Sequence, residues 1–210
     1  MLHQVINKVL EACTKPEVEE EVKEAKEEFI ARTGKIYEED SSFETRMSLF
    51  LEWFVFDRKL QNEGMTPLEK LLQNPNSGFS EEEMAIVKVL PENQHSIFEF
   101  SKVKEHVIHV IDYADNKKKQ IQERRKNFGL VKKDIFEARI ISFEEKFYFS
   151  GPMLFHPGGA KKFIKSLFIP KDRNVDEIIF RLSQMSLKLE RYRHISFKKI
   201  YCKVEDAQTK

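Results

Sequence analysis

The densest group of side chains that could do chemistry in this sequence is a basic run between residues 117 and 133. Eight lysines and arginines fall within these seventeen positions, and a single acidic residue, Glu123, interrupts them. The basic residues are Lys117, Lys118, Lys119, Arg124, Arg125, Lys126, Lys132 and Lys133. They could bind the phosphates of a nucleic acid or the carboxylates of an acidic partner. The alternative is a solvated hairpin and loop, which charge runs more commonly mark.

A second candidate for binding an anion begins after Pro157. Gly158 and Gly159 at a helix start leave backbone N–H groups open, and Lys161 and Lys162 add positive charge. The spacing does not match the phosphate-binding loop pattern G-x-x-x-x-G-K-[ST]. A structural joint between a strand and a helix is therefore the favoured interpretation.

The sequence gives little support for a metal site or a catalytic site. His106 and His109 are three residues apart, which places them on opposite faces of a strand, so they would not share a metal ion. No G-x-S-x-G or H-E-x-x-H motif occurs, and we predict no catalytic residues, no metal site and no cofactor. Asp57 and Arg58, beside Trp53, suggest an internal ion pair more than a recognition patch.

The net charge of +1 conceals two oppositely charged halves. Residues 1–100 hold 11 basic and 21 acidic side chains, a balance of −10. Residues 101–210 hold 25 basic and 14 acidic side chains, a balance of +11. Such asymmetry suggests two modules with different partners.

The acidic half has the apolar periodicity of helices, and we predict an acidic helical domain over 1–92. Three S/T-x-x-E sequences predict capping boxes at helix starts. They are Ser41–Glu44, Thr66–Glu69 and Ser80–Glu83.

The pattern changes to short, alternating strands after that domain. Val107–Ile111 is apolar on both faces, and Glu144-Glu145 is typical of a hairpin turn. We predict a small β-barrel of the SH3-like or OB-like kind over 95–157. Over 158–210 we predict C-terminal helices that pack on the barrel or on the helical domain, with Asn174 capping the last long helix.

One stretch resembles a known kind of module. Phe50–Arg58, followed by Thr66-Pro67-Leu68-Glu69, is similar to a helical module of poorly characterised bacterial proteins. In some of these the module precedes a small β-rich segment, to which Ser96–Pro157 is similar. Some relatives also carry a Cys-rich zinc motif, which the two cysteines here cannot supply. The resemblance covers about Phe43–Pro157 and implies no activity.

Together these features predict an α+β protein with an N-terminal helical domain, a small β-barrel and C-terminal helices. No apolar run is long enough to span a membrane, and the N-terminus lacks the features of a secretory signal. Two distant cysteines suit a reducing compartment, so we expect a cytoplasmic protein. We expect a non-enzymatic binding or regulatory protein that acts through protein–protein contacts. The alternatives are RNA or DNA binding by the basic barrel, and an enzyme whose site lies at the domain junction near His156.

Overall fold

The N-terminal part of the chain folds into helices, as the apolar spacing predicts. The computed structural model describes residues 1–74, 78–123 and 129–202. Its first helices are α1 (Leu2–Cys13), α2 (Glu19–Thr33), α3 (Phe43–Phe56), α4 (Pro67–Leu72) and α5 (Glu81–Val87). Their apolar faces share one core, in which the rings of Phe29, Phe50 and Trp53 are in contact.

Two predicted capping boxes set the starts of α4 and α5. The hydroxyl of Thr66 accepts a hydrogen bond from the backbone N–H of Glu69, and the Glu69 carboxylate accepts one from the N–H of Thr66. Ser80 and Glu83 make the same reciprocal pair. These bonds satisfy backbone N–H groups that have no partner inside the helix.

The capping box predicted from Ser41 to Glu44 is wrong. Ser42 precedes α3, and its side chain makes no capping hydrogen bond. Both serine hydroxyls instead donate to the carboxylate of Glu190, far along the chain. The Ser42 hydroxyl oxygen accepts from Arg46 Nε in place of a backbone N–H, and the Glu190 carboxylate accepts the hydroxyl proton.

The middle of the chain forms a closed five-stranded barrel. The barrel strands are β1 (Gln94–Lys104), β2 (Val107–Asp112), β3 (Lys118–Gln122), β4 (Ile135–Phe143) and β5 (Lys146–Phe149), and a sixth strand is β6 (Leu154–His156). Their order is β1-β2-β3-β5-β4, and β4 pairs again with β1 to close the barrel, while β6 pairs with β4. Only the β3–β5 pairing among these is parallel. This Greek-key order is the OB-like type, one of the two that the sequence predicted.

Strand β4 is buried on both faces, which gives it a central place in the fold. Its inward side chains, among them Phe136, pack in the barrel with Phe98 and Phe149. Its outward side chains, which include Glu137 and Arg139, are buried as well. The apolar residues on both faces of Val107–Ile111 predict that β2 is buried on both faces. In the structure, the outward residues of that strand are only partly buried.

The C-terminal helices join the two parts of the molecule. They are α6 (Lys161–Leu167), α7 (Val175–Arg191) and α8 (Phe197–Ile200), and Asn174 caps α7 as predicted. Phe180 of α7 packs on rings of the N-terminal core, whereas Leu182 packs in a second core together with Ile97 of β1. Helix α7 therefore contacts both modules. In the part of the chain that the structure describes, no helix is both long and apolar enough to cross a membrane.

Gly159 permits a close approach between the start of α6 and α8. A Cβ atom at this position would overlap the Phe197 ring. We expect Gly159→Ala to lower the free energy of unfolding by about 1–3 kcal/mol, because the ring must move. Urea unfolding of this variant and of Gly159→Ala in a Phe197→Ala background tests the cause. An equal loss in both backgrounds would exclude the ring contact as the reason.

Candidate functional site

Arg139 lies on the outer face of β4, beneath the N-terminal helices, and is 1% exposed. Its guanidinium donates hydrogen bonds to both carboxylate oxygens of Asp57, the residue that follows α3. It also donates to the side chain of Asn93 and lies near the face of the Phe56 ring. A buried guanidinium is costly unless it is paired, so these partners hold the end of α3 against β4.

Glu52 is the second carboxylate beside Arg139 and is 2% exposed. Its Oε2 atom lies 3.5 Å from Arg139 Nε, close enough for an ion pair. The geometry makes no hydrogen bond, and both atoms are buried without a hydrogen-bond partner among the described residues. Burial raises the pKa of Glu52, although Arg139 and a hydrogen bond from Ser150 act to lower it.

Glu52 also lines an open groove between the helices and the barrel, with a cavity volume of about 510 Å³. We call it the junction groove; α1, α3 and the segment 150–152 after β5 form its walls. Its apolar lining residues are Ile6, Leu10, Leu51 and Pro152, and its acidic ones are Glu11, Glu44 and Glu52. This volume is in the range of known ligand sites.

The junction groove carries an excess of negative charge. Three carboxylates line it, and no lysine or arginine of the described residues does. The guanidinium that pairs with Glu52, that of Arg139, is shared with Asp57. A cation or a strong hydrogen-bond donor is therefore the chemistry that the groove could accept.

His156, near which sequence analysis placed an alternative enzyme site, is buried away from this groove. It is 5% exposed, and its Nδ1 atom lies 3.1 Å from the hydroxyl of Tyr201. Burial lowers its pKa to about 4, so the ring is neutral near pH 7. Glu137 and Arg46 lie close enough to influence its charge. This cluster joins α3, β4, β6 and the end of the chain's described part, and its histidine has almost no solvent access.

The first lysines of the predicted basic run differ in their surroundings. Lys119 is 8% exposed and forms ion pairs with Asp112 at 2.6 Å and Asp115 at 3.4 Å. Lys117 and Lys118 are exposed to solvent at the turn between β2 and β3. The Lys119 side chain is therefore buried in ion pairs, whereas the side chains of Lys117 and Lys118 are accessible to a partner.

The later basic residues lie elsewhere on the barrel. Lys132 and Lys133 are exposed, and the Lys133 N–H donates to the carbonyl of Phe100 in β1. Strands β1 and β2 therefore separate them from Lys118 in β3, by roughly 14 Å along the barrel surface. Arg124, Arg125 and Lys126 lie outside the described residues. Binding by the whole run stays a prediction.

The residues of the predicted anion site form the joint between β6 and α6. The close approach of the Phe197 ring explains why position 159 is a glycine. Lys161 forms an ion pair with Glu99, whereas Lys162 and Gly158 are exposed. These contacts favour a structural joint, and anion binding at the four residues stays a prediction.

Asp57 and Arg58 are both in ion pairs, but not with each other. Arg58 pairs with Glu21 and Glu28 of α2, while Asp57 pairs with Arg139.

Within the residues that the structure describes, no three His, Cys, Asp or Glu side chains are grouped to hold a metal ion.

The sequence motifs did not indicate Glu52 or Arg139 as candidate site residues. Each interrupts an apolar run, Phe50–Phe56 for the first and Ile135–Ile141 for the second. A charged residue within such a run is a signal of a buried, paired charge. This pattern does not indicate which residue is the ion-pair partner, nor that a groove lies beside the pair.

Comparison with known proteins identifies a family but no activity. A family model described as a family of unknown function (DUF7986) matches residues 2–176. No curated protein and no solved structure matches the chain.

Replacing Arg139 should be far more damaging than replacing a surface arginine. We expect Arg139→Leu to lower the free energy of unfolding by about 3–5 kcal/mol, because Asp57 and Glu52 then lose their buried counter-charge. Arg191→Leu, which breaks a more exposed pair with Asp40, is the matched control and should lose about 1 kcal/mol or less. Urea unfolding measures both. Similar losses for the two variants would contradict the role of Arg139.

The raised pKa of Glu52 predicts a pH-dependent stability difference between the natural chain and Glu52→Gln. The folded state holds the Glu52 proton above the ordinary pKa of 4.5, so ionising Glu52 destabilises the fold. As pH rises above about 4.5, the natural chain should lose free energy of unfolding relative to Glu52→Gln. Urea unfolding between about pH 4 and pH 8 tests this. A relative gain with rising pH would mean that the Arg139 attraction dominates.

Proposed function

The chain belongs to this family of unknown function, and we propose that it is a non-enzymatic binding protein whose junction groove receives a lysine or arginine side chain of a partner protein. The observation that carries the proposal is the buried Glu52 carboxylate in the groove lining, whose Oε2 atom lies 3.5 Å from Arg139 Nε and has no hydrogen bond within the described chain. A bound ammonium or guanidinium group would supply a donor and a counter-charge to that carboxylate.

The lining of the groove also fits the shape of such a side chain. Lysine and arginine carry a charged head on an apolar stem, which tends to lie along apolar surface. Leu10, Leu51 and Pro152 offer that surface, and the carboxylates of Glu11 and Glu44 lie in the same groove. A wholly apolar ligand would leave these carboxylates unpaired.

Binding accounts for the groove better than catalysis does. Nucleophilic catalysis needs a hydroxyl or thiol beside a general base. The Ser150 hydroxyl is buried between the Glu52 carboxylate and the Arg139 carbonyl, and no histidine among the described residues lines the groove. An enzyme at the junction stays the less supported alternative.

Nucleic-acid binding by the barrel is also less supported. Lys119 is held by two aspartates, and the exposed pairs Lys117–Lys118 and Lys132–Lys133 lie on different strands and loops. A backbone of phosphates needs a continuous basic stripe, which these residues alone do not form.

Titration with blocked amino acids tests the proposed site. We expect the amides of Nα-acetyl-lysine and Nα-acetyl-arginine to shift the NMR signals of Ser48, Leu51 and Gly151, whereas the norleucine analogue should not. Glu52→Gln should weaken lysine amide binding about tenfold or more, because a hydrogen bond to a charged group contributes about 1.5–3 kcal/mol. The binding should also strengthen as pH rises through the Glu52 pKa, because the cation prefers the ionised carboxylate.

Two controls separate the groove from general charge effects. Glu145→Gln removes an exposed carboxylate at the β4–β5 turn and should leave the affinity unchanged. Ser48→Trp adds bulk at an exposed lining position and should abolish the binding. Equal binding of lysine and norleucine amides, or equal affinity of the natural chain and Glu52→Gln, would contradict the proposal.

A further inference from the structure

A second groove lies on the barrel, on the side where α6 covers β1 and β2. We call it the barrel groove; Tyr113, Asn116, Lys165, Phe168 and Ile169 line it, and its cavity volume is about 340 Å³. Tyr113 and Asn116 belong to the turn between β2 and β3, and the other three lie at the end of α6. Arg173 donates to the Ala114 carbonyl, which ties the chain after α6 to this turn.

The barrel groove is apolar at its centre. Tyr113 and Phe168 pack edge to face, with ring centroids 6.0 Å apart, and are nearly buried. Ile169 beside them is 75% exposed, the largest exposed fraction among the apolar side chains of the described chain. A large exposed aliphatic side chain beside a groove marks a surface that an apolar side chain of a partner can cover.

Positive charge surrounds this apolar centre. Lys117 directly follows Asn116, and Lys118 pairs with Ile111, whose side chain packs against the core beneath α6. Both lysines are exposed, as is Lys171 after Ile169.

Two of the nearby carboxylates are already paired, whereas Asp172, which follows Lys171, is exposed. Glu99 lies between Lys161 and Lys165 and accepts a hydrogen bond from the Tyr113 hydroxyl. Asp115 pairs with Lys119. Lys117 and Lys118 form no ion pair with a carboxylate of the described chain, and this part of the rim favours an anionic ligand.

We propose that the barrel groove binds an acidic segment of a partner protein, in which an aliphatic side chain stands between carboxylates. The aliphatic side chain covers Ile169 and enters the groove, while the carboxylates pair with Lys117, Lys118 and Lys171. This ligand is opposite in charge to the one proposed for the junction groove, and the two sites are independent.

The same geometry argues against single-stranded nucleic acid as the ligand here. Base stacking needs an exposed aromatic face. Tyr113 is 4% exposed and Phe168 is 8% exposed, so neither ring offers one. The exposed residue of the groove is aliphatic, which suits a leucine or isoleucine side chain better than a base.

Fluorescence anisotropy with a labelled, blocked peptide tests the proposal. In the probe a leucine stands between glutamates; one control peptide has glutamines in place of the glutamates, and another has serine in place of the leucine. We expect the probe to bind more tightly than either control, and its affinity to fall as salt rises from about 50 to 200 mM.

Matched variants locate the site. The double substitution Lys117→Glu with Lys118→Glu should weaken the probe about tenfold or more, because it reverses two exposed charges beside the ligand. Ile169→Ser should weaken it as well. Lys132→Glu with Lys133→Glu makes the same charge change two strands away and should have little effect. Equal melting temperatures would show that all variants keep the fold.

Three results would overturn the proposal. The first is equal loss from both double lysine variants, and the second is equal affinity for the leucine and serine peptides. The third is tighter binding of a short oligothymidylate that depends on both lysine pairs, which would assign the surface to nucleic acid. Glu52→Gln should not change probe affinity, so failure here is distinguishable from failure of the junction groove.

Discussion

The burial of Arg139 on the outer face of β4 is the constraint on which the rest of the structure depends. A guanidinium that is 1% exposed requires carboxylate and carbonyl partners in fixed positions. Asp57 at the end of α3 and Asn93 before β1 supply them, so these contacts hold the helices against the barrel. That position brings Glu52 beside Arg139 and opens the junction groove next to it.

The same packing explains how the opposite charges of the two halves are used. Asp40 pairs with Arg191 and Asp57 with Arg139, so some attraction between the halves is internal. Other charges stay on the surface: glutamates line the junction groove, and lysines surround the barrel groove. We infer a molecule with two sites of opposite charge preference, which a total charge of +1 does not reveal.

Local signals in the sequence predicted most of the fold. The capping pairs at Thr66 and Ser80 and the hairpin turn at Glu144-Glu145, where both residues have positive φ, depend on neighbouring residues alone. Contacts between distant residues were not predictable in this way. Glu190 captures the hydroxyl of Ser42, 148 residues earlier, and Arg139 finds Asp57, 82 residues earlier. The junction groove depends on such contacts. The sequence shows Glu52 and Arg139 as charged residues within apolar runs, but it does not show that they meet beside a groove.

Arg139 lies beside the Glu52 carboxylate without a hydrogen bond to it, and we propose that an external cation completes the compensation of its charge. An NMR titration of the Glu52 side-chain carboxyl carbon measures this directly, with and without Nα-acetyl-lysine amide. We predict a pKa above the ordinary 4.5 in the free protein, and a lower pKa when the lysine amide is bound. A pKa at or below 4.5 in the free protein, unchanged by the lysine amide, would contradict the account.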